Sequence, residues 1–143
     1  MNKLYLEQAI EKMQDYLCQQ KDITAAYVFG SYAQGKQRPE SDLDIGIVFS
    51  QRPDTYNRLF EIGMELEKIT DGPKVDVREL NLEDSPVFLM SALKEAKLIC
   101  ENNPQQRINF EVKVMQEFND TQKGREIQYY YMTKRIKEGK YAN

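Results

Sequence analysis

The chain has 143 residues and a mass of 16.8 kDa, the size of one ordinary domain with one hydrophobic core. Its 20 basic and 23 acidic residues give a net charge of −3, which argues against a protein that holds nucleic acid by bulk electrostatics. Histidine is absent, so Ser-His-Asp and Cys-His catalysis, histidine-ligated zinc and imidazole proton transfer are excluded. Any catalysis must use carboxylates, lysine, hydroxyl groups or a metal held by oxygen.

The N-terminus and the cysteines indicate the compartment. Residues 1–10 contain Lys3 and Glu7 but no apolar segment like that of a signal peptide, and the longest apolar runs are too short to cross a membrane. Cys18 and Cys100 form no C-x-x-C unit, so we expect two reduced, partly buried thiols. The expected setting is cytoplasmic, without a membrane or a nucleic acid as a direct partner.

The first half of the chain predicts a helix followed by two strands and a second helix. Residues 3–20 place apolar side chains at helical spacing on one stripe. Residues 24–29 (TAAYVF) and 43–49 (LDIGIVF) are short β-prone runs. A second helix is expected from Arg52-Pro53-Asp54 to Ile69, and the turn 71–73 ends it.

The second half predicts a third strand, two or three helices and an edge strand. Residues 74–80 (KVDVREL) alternate as a strand does, residues 86–96 form a helix after Asp84-Ser85, and 97–100 form an edge strand. Residues 108–118 are readable as a helix or a strand, with helix favoured, and Asp120-Thr121 could cap another helix. We therefore divide the chain into a body, 1–103, and a helical C-terminal extension, 104–143, which either belongs to the same domain or acts as a partner-docking arm.

The extension differs from the body in charge and aromatic content. It holds 8 basic and 5 acidic residues, a net charge of +3, against 12 basic and 18 acidic residues, a net charge of −6, in the body. Tyr129-Tyr130-Tyr131 span about 200° of a helix, so at least one must face away from whatever the others contact. We expect Ile127 and Tyr131 to pack inward and Tyr129 or Tyr130 to remain available to a partner; the alternative is a helix folded back on the acidic body.

The stretch 29–49, FGSYAQGKQRPESDLDIGIVF, carries the chemistry. Gly30-Ser31 at the end of a strand offers backbone N–H groups and a hydroxyl, an anion site suited to phosphate. Asp42 and Asp44 open the next strand on one face, and two adjacent carboxylates must be protonated, exposed or bound to cations. Taken singly, Gly-Ser is also a common turn and the aspartates a strand-entry turn.

A third acid, Asp76, interrupts the next alternating strand at a position that the pattern assigns to the core. If strands 43–49 and 74–80 are neighbours, Asp76 faces the pair, and three convergent carboxylates suit one or two Mg²⁺ ions, which in turn hold nucleotide phosphates. The alternative is an acid at the strand edge that pairs with Lys74 or Arg78.

Gly-Ser, ten residues, D-x-D and a third aspartate on a later strand together resemble the DNA polymerase β-like nucleotidyltransferase superfamily, in particular its minimal nucleotidyltransferases, the antitoxin partners of HEPN-domain ribonucleases. The resemblance implies an α/β (α+β) fold with a small mixed sheet and helices mainly on one side. It also implies that Gly30 and Ser31 bind the triphosphate of ATP and that Asp42, Asp44 and Asp76 are both catalytic and Mg²⁺ ligands. Gln34 stands where members often carry arginine, so Lys36 or Arg38 would have to meet the phosphate charge.

By the same resemblance, the protein is an Mg²⁺-dependent enzyme that transfers AMP from ATP to a tyrosine of a cognate HEPN ribonuclease toxin and thereby neutralises it. The alternatives are transfer to a small molecule such as an aminoglycoside, and an antitoxin that acts by steric binding alone. The residues themselves do not select ATP over GTP, and the adenine nucleotide is implied by the family.

Overall fold

The computed structural model describes residues 3–29, 43–51, 55–71 and 74–139. These residues form four helices and four strands, which occur along the chain as α1 (Lys3–Leu17), β1 (Ile23–Phe29), β2 (Leu43–Phe49), α2 (Thr55–Thr70), β3 (Val75–Glu79), α3 (Pro86–Glu95), β4 (Lys97–Glu101) and α4 (Pro104–Lys137). The predicted order of elements from α1 to β4 is confirmed. As expected, α3 starts at a cap, where the side chain of Ser85 accepts a hydrogen bond from the backbone N–H of Phe88.

The strands form one mixed sheet in the order β3-β2-β1-β4. β1 is antiparallel to both of its neighbours, whereas β2 and β3 are parallel. The parallel pair requires a crossover connection, and α2 supplies it. The two central strands are buried along almost their whole length, and the edge strand β3 alternates between buried and more exposed residues. The predicted α/β class with a small mixed sheet is confirmed.

Helices cover both faces of this sheet, not mainly one. On one face, Met13 of α1 and Ile62 of α2 pack in a cluster with Ile45 of β2. On the other face, Leu89 of α3 and Phe110 of α4 pack in a second cluster with strand residues. The difference arises because the first turns of α4, which the sequence assigned to an extension, return to the sheet and bury apolar side chains there.

α4 is one continuous helix of 34 residues, about 51 Å long at 1.5 Å per residue. The helical interpretation of 108–118 is confirmed, whereas a second helix capped at Asp120-Thr121 is wrong. Thr121 is accommodated inside the helix because its hydroxyl donates to the backbone oxygen of Glu117 at 2.9 Å. The helix ends just before Gly139, whose φ of 71° is the left-handed conformation common after a helix C-terminus.

The second half of α4 lies in solvent. Within this helix, which the structure describes in full, the buried residues are Phe110 and Val114. Ile127 is 50% exposed, and Tyr129, Tyr130 and Tyr131 are 67%, 62% and 57% exposed. The inward packing expected of Ile127 and Tyr131 is therefore wrong, and the alternative of a helix folded back on the body holds for the first half of α4 but not for the half that carries the tyrosines.

The cysteines differ from the sequence expectation. Cys18, just after α1, and Cys100 in β4 are joined as a disulfide, with their Cα atoms 5.8 Å apart. The expectation of two reduced thiols rested on compartment and spacing, and neither reveals that two residues 82 positions apart meet in the fold. Among the helices in the described part of the chain, none has the length and apolar character needed to cross a bilayer.

Candidate active site

The structure brings together two of the three predicted carboxylates. In the parallel register of β2 and β3, Asp44 is the partner of Asp76. Register partners on neighbouring strands point to the same face, and the strands lie about 4.8 Å apart. The two side chains are therefore adjacent on one surface of the sheet.

The face they occupy follows from their neighbours along each strand. Leu43 and Ile45 are buried against α1 and α2, so Asp44 between them points to the face that α3 and α4 cover farther along. Asp76 is exposed, which corrects the prediction of a core position. The reason is that β3 is an edge strand and this end of the face is left open by both helices.

The remaining predicted site residues, Gly30, Ser31, Lys36 and Asp42, lie outside the described residues, as do Gln34 and Arg38. Phe29, the last residue of β1, is the antiparallel partner of Asp44. Phe29, Asp44 and Asp76 are thus register partners across three adjacent strands, and Gly30 and Ser31 follow Phe29 in the sequence.

A glycine in the next row allows an apolar floor to form beside the carboxylates. Gly46 of β2 pairs with Tyr27 of β1 and Arg78 of β3. A Cβ atom at Gly46 would lie 2.8 Å from both Leu80 Cδ1 and Phe29 Cε1, closer than van der Waals contact allows. These two side chains thus close over the backbone of β2 because residue 46 has no side chain.

Arg78 occupies the same face as Asp76, two residues farther along β3. Its guanidinium carbon lies 4.0 Å from the centre of the Phe88 ring on α3, and its Nη2 donates to Asp84 Oδ1 at 3.5 Å. Sequence reasoning considered Arg78 only as an ion-pair partner of Asp76, whereas the structure pairs it with Asp84. The two-residue spacing on an alternating strand was the signal that places it beside the carboxylates.

A polar network attaches α4 to the sheet. The buried Tyr27 donates its hydroxyl to Glu111 Oε1 at 2.7 Å, and Arg107 Nη1 donates to Glu111 Oε2 at 2.9 Å. Burial, together with the Glu111 carboxylate, raises the pKa of Tyr27 well above its usual value. The network holds the first turns of α4 on β1 and so determines which end of this face is covered. It was invisible in the sequence because its partners are more than 80 residues apart.

The donor set suits a hard cation. Asp44 and Asp76 supply carboxylate oxygens, the ligands that Mg²⁺ prefers. Within the described ranges no three metal-ligating side chains converge, and Asp42, the third predicted carboxylate, lies outside them.

Comparison with known proteins gives a consistent assignment of the fold. The family model "Polymerase beta, Nucleotidyltransferase" matches residues 11–105. A Methanocaldococcus jannaschii protein that bears the name "Putative protein adenylyltransferase" is 35% identical over 72 residues, which are 50% of this chain and 81% of that protein.

Two solved structures share the fold. A toxin-antitoxin crystal structure with AMP-PNP has a TM-score of 0.68 at 24% identity, covering 89% of this chain and 98% of the other. A complex of tri-AMPylated Shewanella oneidensis HEPN toxin with an MNT antitoxin has a TM-score of 0.62 at 21% identity, covering 93% and 99%. The family match over residues 11–105 covers every strand of the sheet together with Asp44 and Asp76, and the chain belongs to the polymerase beta nucleotidyltransferase family.

Proposed function

We propose that this protein transfers AMP from ATP to a tyrosine hydroxyl of a cognate HEPN ribonuclease and thereby silences it. The observation that carries the proposal is the register of Asp44 with Asp76 on adjacent parallel strands of a nucleotidyltransferase fold. The name of the Methanocaldococcus relative and the AMPylated toxin in a structural neighbour support adenylate transfer to a protein.

The chemistry requires charge neutralisation and positioning. The acceptor oxygen attacks the α-phosphorus, the bond from that phosphorus to the bridging oxygen breaks, and pyrophosphate leaves with the electron pair. In our proposal Gly30 and Ser31 bind the triphosphate, Asp42, Asp44 and Asp76 hold Mg²⁺, and Asp76 receives the proton of the acceptor hydroxyl. Mg²⁺ bound there would neutralise charge on the phosphates and lower the pKa of the acceptor hydroxyl.

The exposed half of α4 is the proposed docking arm for the toxin. It presents three tyrosines and Ile127 to solvent, and aromatic side chains with arginines are enriched at the centres of protein interfaces. Phe110 and Val114 belong to the core, so a truncation just after Pro104 would remove core contacts along with the arm. Substitutions in the arm are therefore the sharper test.

Arm variants test docking without cutting the chain. Replacing Tyr129, Tyr130 and Tyr131 by serine should abolish co-purification with the product of the adjacent gene, while the thermal midpoint stays close to the parent's because these side chains are exposed. Tyr56→Ser is the matched control, since Tyr56 is 84% exposed on α2. Unchanged co-purification of the triple variant would eliminate the arm as the docking site.

The activity assay combines the purified chain with labelled ATP, Mg²⁺ and the product of the adjacent gene. We expect label on the partner protein, and its loss in Asp42→Asn, Asp44→Asn and Asp76→Asn. Asp15→Asn on the exposed side of α1 is the control that should keep full transfer. Neutralisation of the toxin that persists in all three site variants would instead identify a binding antitoxin. Label on an aminoglycoside but not on the protein would identify a small-molecule transferase.

A further inference from the structure

We propose that Arg78, seated on the ring of Phe88, forms the acceptor side of the active site and selects a neutral, planar aromatic hydroxyl over a polycationic sugar. The inference rests on the proposed AMP transfer and deepens it by assigning the surface that receives the acceptor. Its basis is the order of the strands and the position of one guanidinium group.

The strand order defines two sides of the carboxylate pair. β1, which leads into Gly30 and Ser31, lies on one side of Asp44, and the edge strand β3 with Asp76 lies on the other. In phosphoryl and nucleotidyl transfer the attacking oxygen and the leaving oxygen are roughly in line. A triphosphate bound at the end of β1 therefore leaves the β3 side to the acceptor.

Among the described residues, Asp76 and Arg78 form the open surface on the β3 side. Asp76 and Arg78 point to the same face, about 6.6 Å apart at 3.3 Å per residue, and half of the Arg78 side chain is exposed. The next residue on this face, Leu80, is buried with side chains of α3 and α4, so an acceptor cannot bind farther along the strand. An acceptor whose oxygen reaches Asp76 thus lies against Arg78.

The planar guanidinium group of Arg78 is held by two contacts. Its central carbon lies 4.0 Å from the centre of the Phe88 ring, and Asp84 Oδ1 accepts a hydrogen bond from Nη2 at 3.5 Å. Guanidinium groups stack on aromatic rings through either face, so the outward face offers a platform for a phenol ring. An aminoglycoside has no aromatic ring to place on this platform, so the stacking contact favours a phenol.

The test separates acceptor binding from nucleotide binding in the full-length chain. We compare the parent, Arg78→Met, Arg78→Lys and Lys97→Met, using labelled ATP, Mg²⁺ and two small acceptors, N-acetyltyrosinamide and kanamycin. Lys97 is an exposed cation on β4, the opposite edge strand, and serves as the control. KM is measured separately for ATP and for each acceptor, and a thermal midpoint for every variant reports the fold.

We expect Arg78→Met to raise the KM for N-acetyltyrosinamide roughly 5- to 100-fold, the loss of one stacking contact, with the KM for ATP unchanged. Arg78→Lys should not restore the acceptor KM, because lysine keeps the charge but lacks the plane. The parent should prefer N-acetyltyrosinamide to kanamycin, and Lys97→Met should match the parent throughout.

Three results overturn the inference while leaving AMP transfer intact: an unchanged acceptor KM in Arg78→Met, an ATP KM that rises in parallel with the acceptor KM, or a parent that prefers kanamycin. A parent that transfers AMP to neither probe nor to the product of the adjacent gene overturns the proposed function itself, and the acceptor site falls with it.

Discussion

Substituting Gly46 by alanine probes how tightly the floor of the site is packed. The added Cβ would lie 2.8 Å from Leu80 Cδ1, 2.8 Å from Phe29 Cε1 and 3.1 Å from Leu80 Cγ. Leu80 is buried, so its side chain cannot turn into solvent to make room. Phe29 pairs with Asp44, and its displacement would disturb the row that holds the carboxylates.

The expected cost is that of overpacking a core position, about 1–3 kcal/mol of the free energy of unfolding. For a domain of this size each kcal/mol corresponds to roughly 4 °C, so the thermal midpoint should fall by roughly 4–12 °C. Urea unfolding followed by circular dichroism measures the free energy directly, because the midpoint should fall while the slope is unchanged. The proposed AMP transfer should also decrease at temperatures below the unfolding transition, because Phe29 is the strand partner of Asp44.

Gly63→Ala is the matched control. Gly63 lies within α2, and a Cβ there would meet Val77 Cγ2 at 3.6 Å, an ordinary contact. Alanine is the better helix former, so this variant should gain about 1 kcal/mol. If Gly46→Ala is as stable as the parent while Gly63→Ala gains stability, the close packing of Phe29 and Leu80 over β2 is wrong.

Three further substitutions test the contacts that hold the scaffold. Asp22 forms two hydrogen bonds with Arg58, which hold the pKa of Asp22 below its usual value of 3.8. The ion pair therefore stabilises the fold above pH 3.8 and is lost as the pH falls through the lowered pKa. Asp22→Asn should cost about 1 kcal/mol near neutral pH, and urea midpoints at pH 7 and pH 3 should show that difference shrinking. Tyr27→Phe removes the donor to Glu111 and should cost about 1–2 kcal/mol. Because the folded pKa of Tyr27 is raised, the parent should also lose stability as the pH rises above 10, and alkaline unfolding curves of Tyr27→Phe should lack that contribution. Gly124 lies on the exposed part of α4, and a Cβ atom added there would have no atom within 4 Å. Gly124→Ala should therefore raise the free energy of unfolding by about 1 kcal/mol, or raise the helix content, and urea unfolding followed by circular dichroism measures both.

The strands and the aspartates could be predicted from the sequence because the patterns that indicate them involve neighbouring residues. Alternation with a period of two identifies β3 from 74–80, and Asp44 and Asp76 are recognisable as acids within two predicted strands. The absence of histidine limited any catalysis to carboxylates, lysine, hydroxyl groups or a metal held by oxygen before any fold was known. The D-x-D spacing then led to the family, which the match over 11–105 confirms.

The tertiary structure decided what depends on residues distant in the chain. The alternation could not say which strand neighbours β2 or in which register, and it is the parallel pairing that sets Asp76 beside Asp44. The same limit explains the errors: Cys18 meets Cys100 only because β4 lies at the sheet edge near the end of α1. Whether the second face of the sheet is covered depends on where α4 packs against it. That position is fixed by the burial of Phe110 and by contacts between residues distant in the chain. Periodicity in the sequence shows which side of a helix or strand is apolar. Which other element that side packs against is determined only by the free energy of the complete fold.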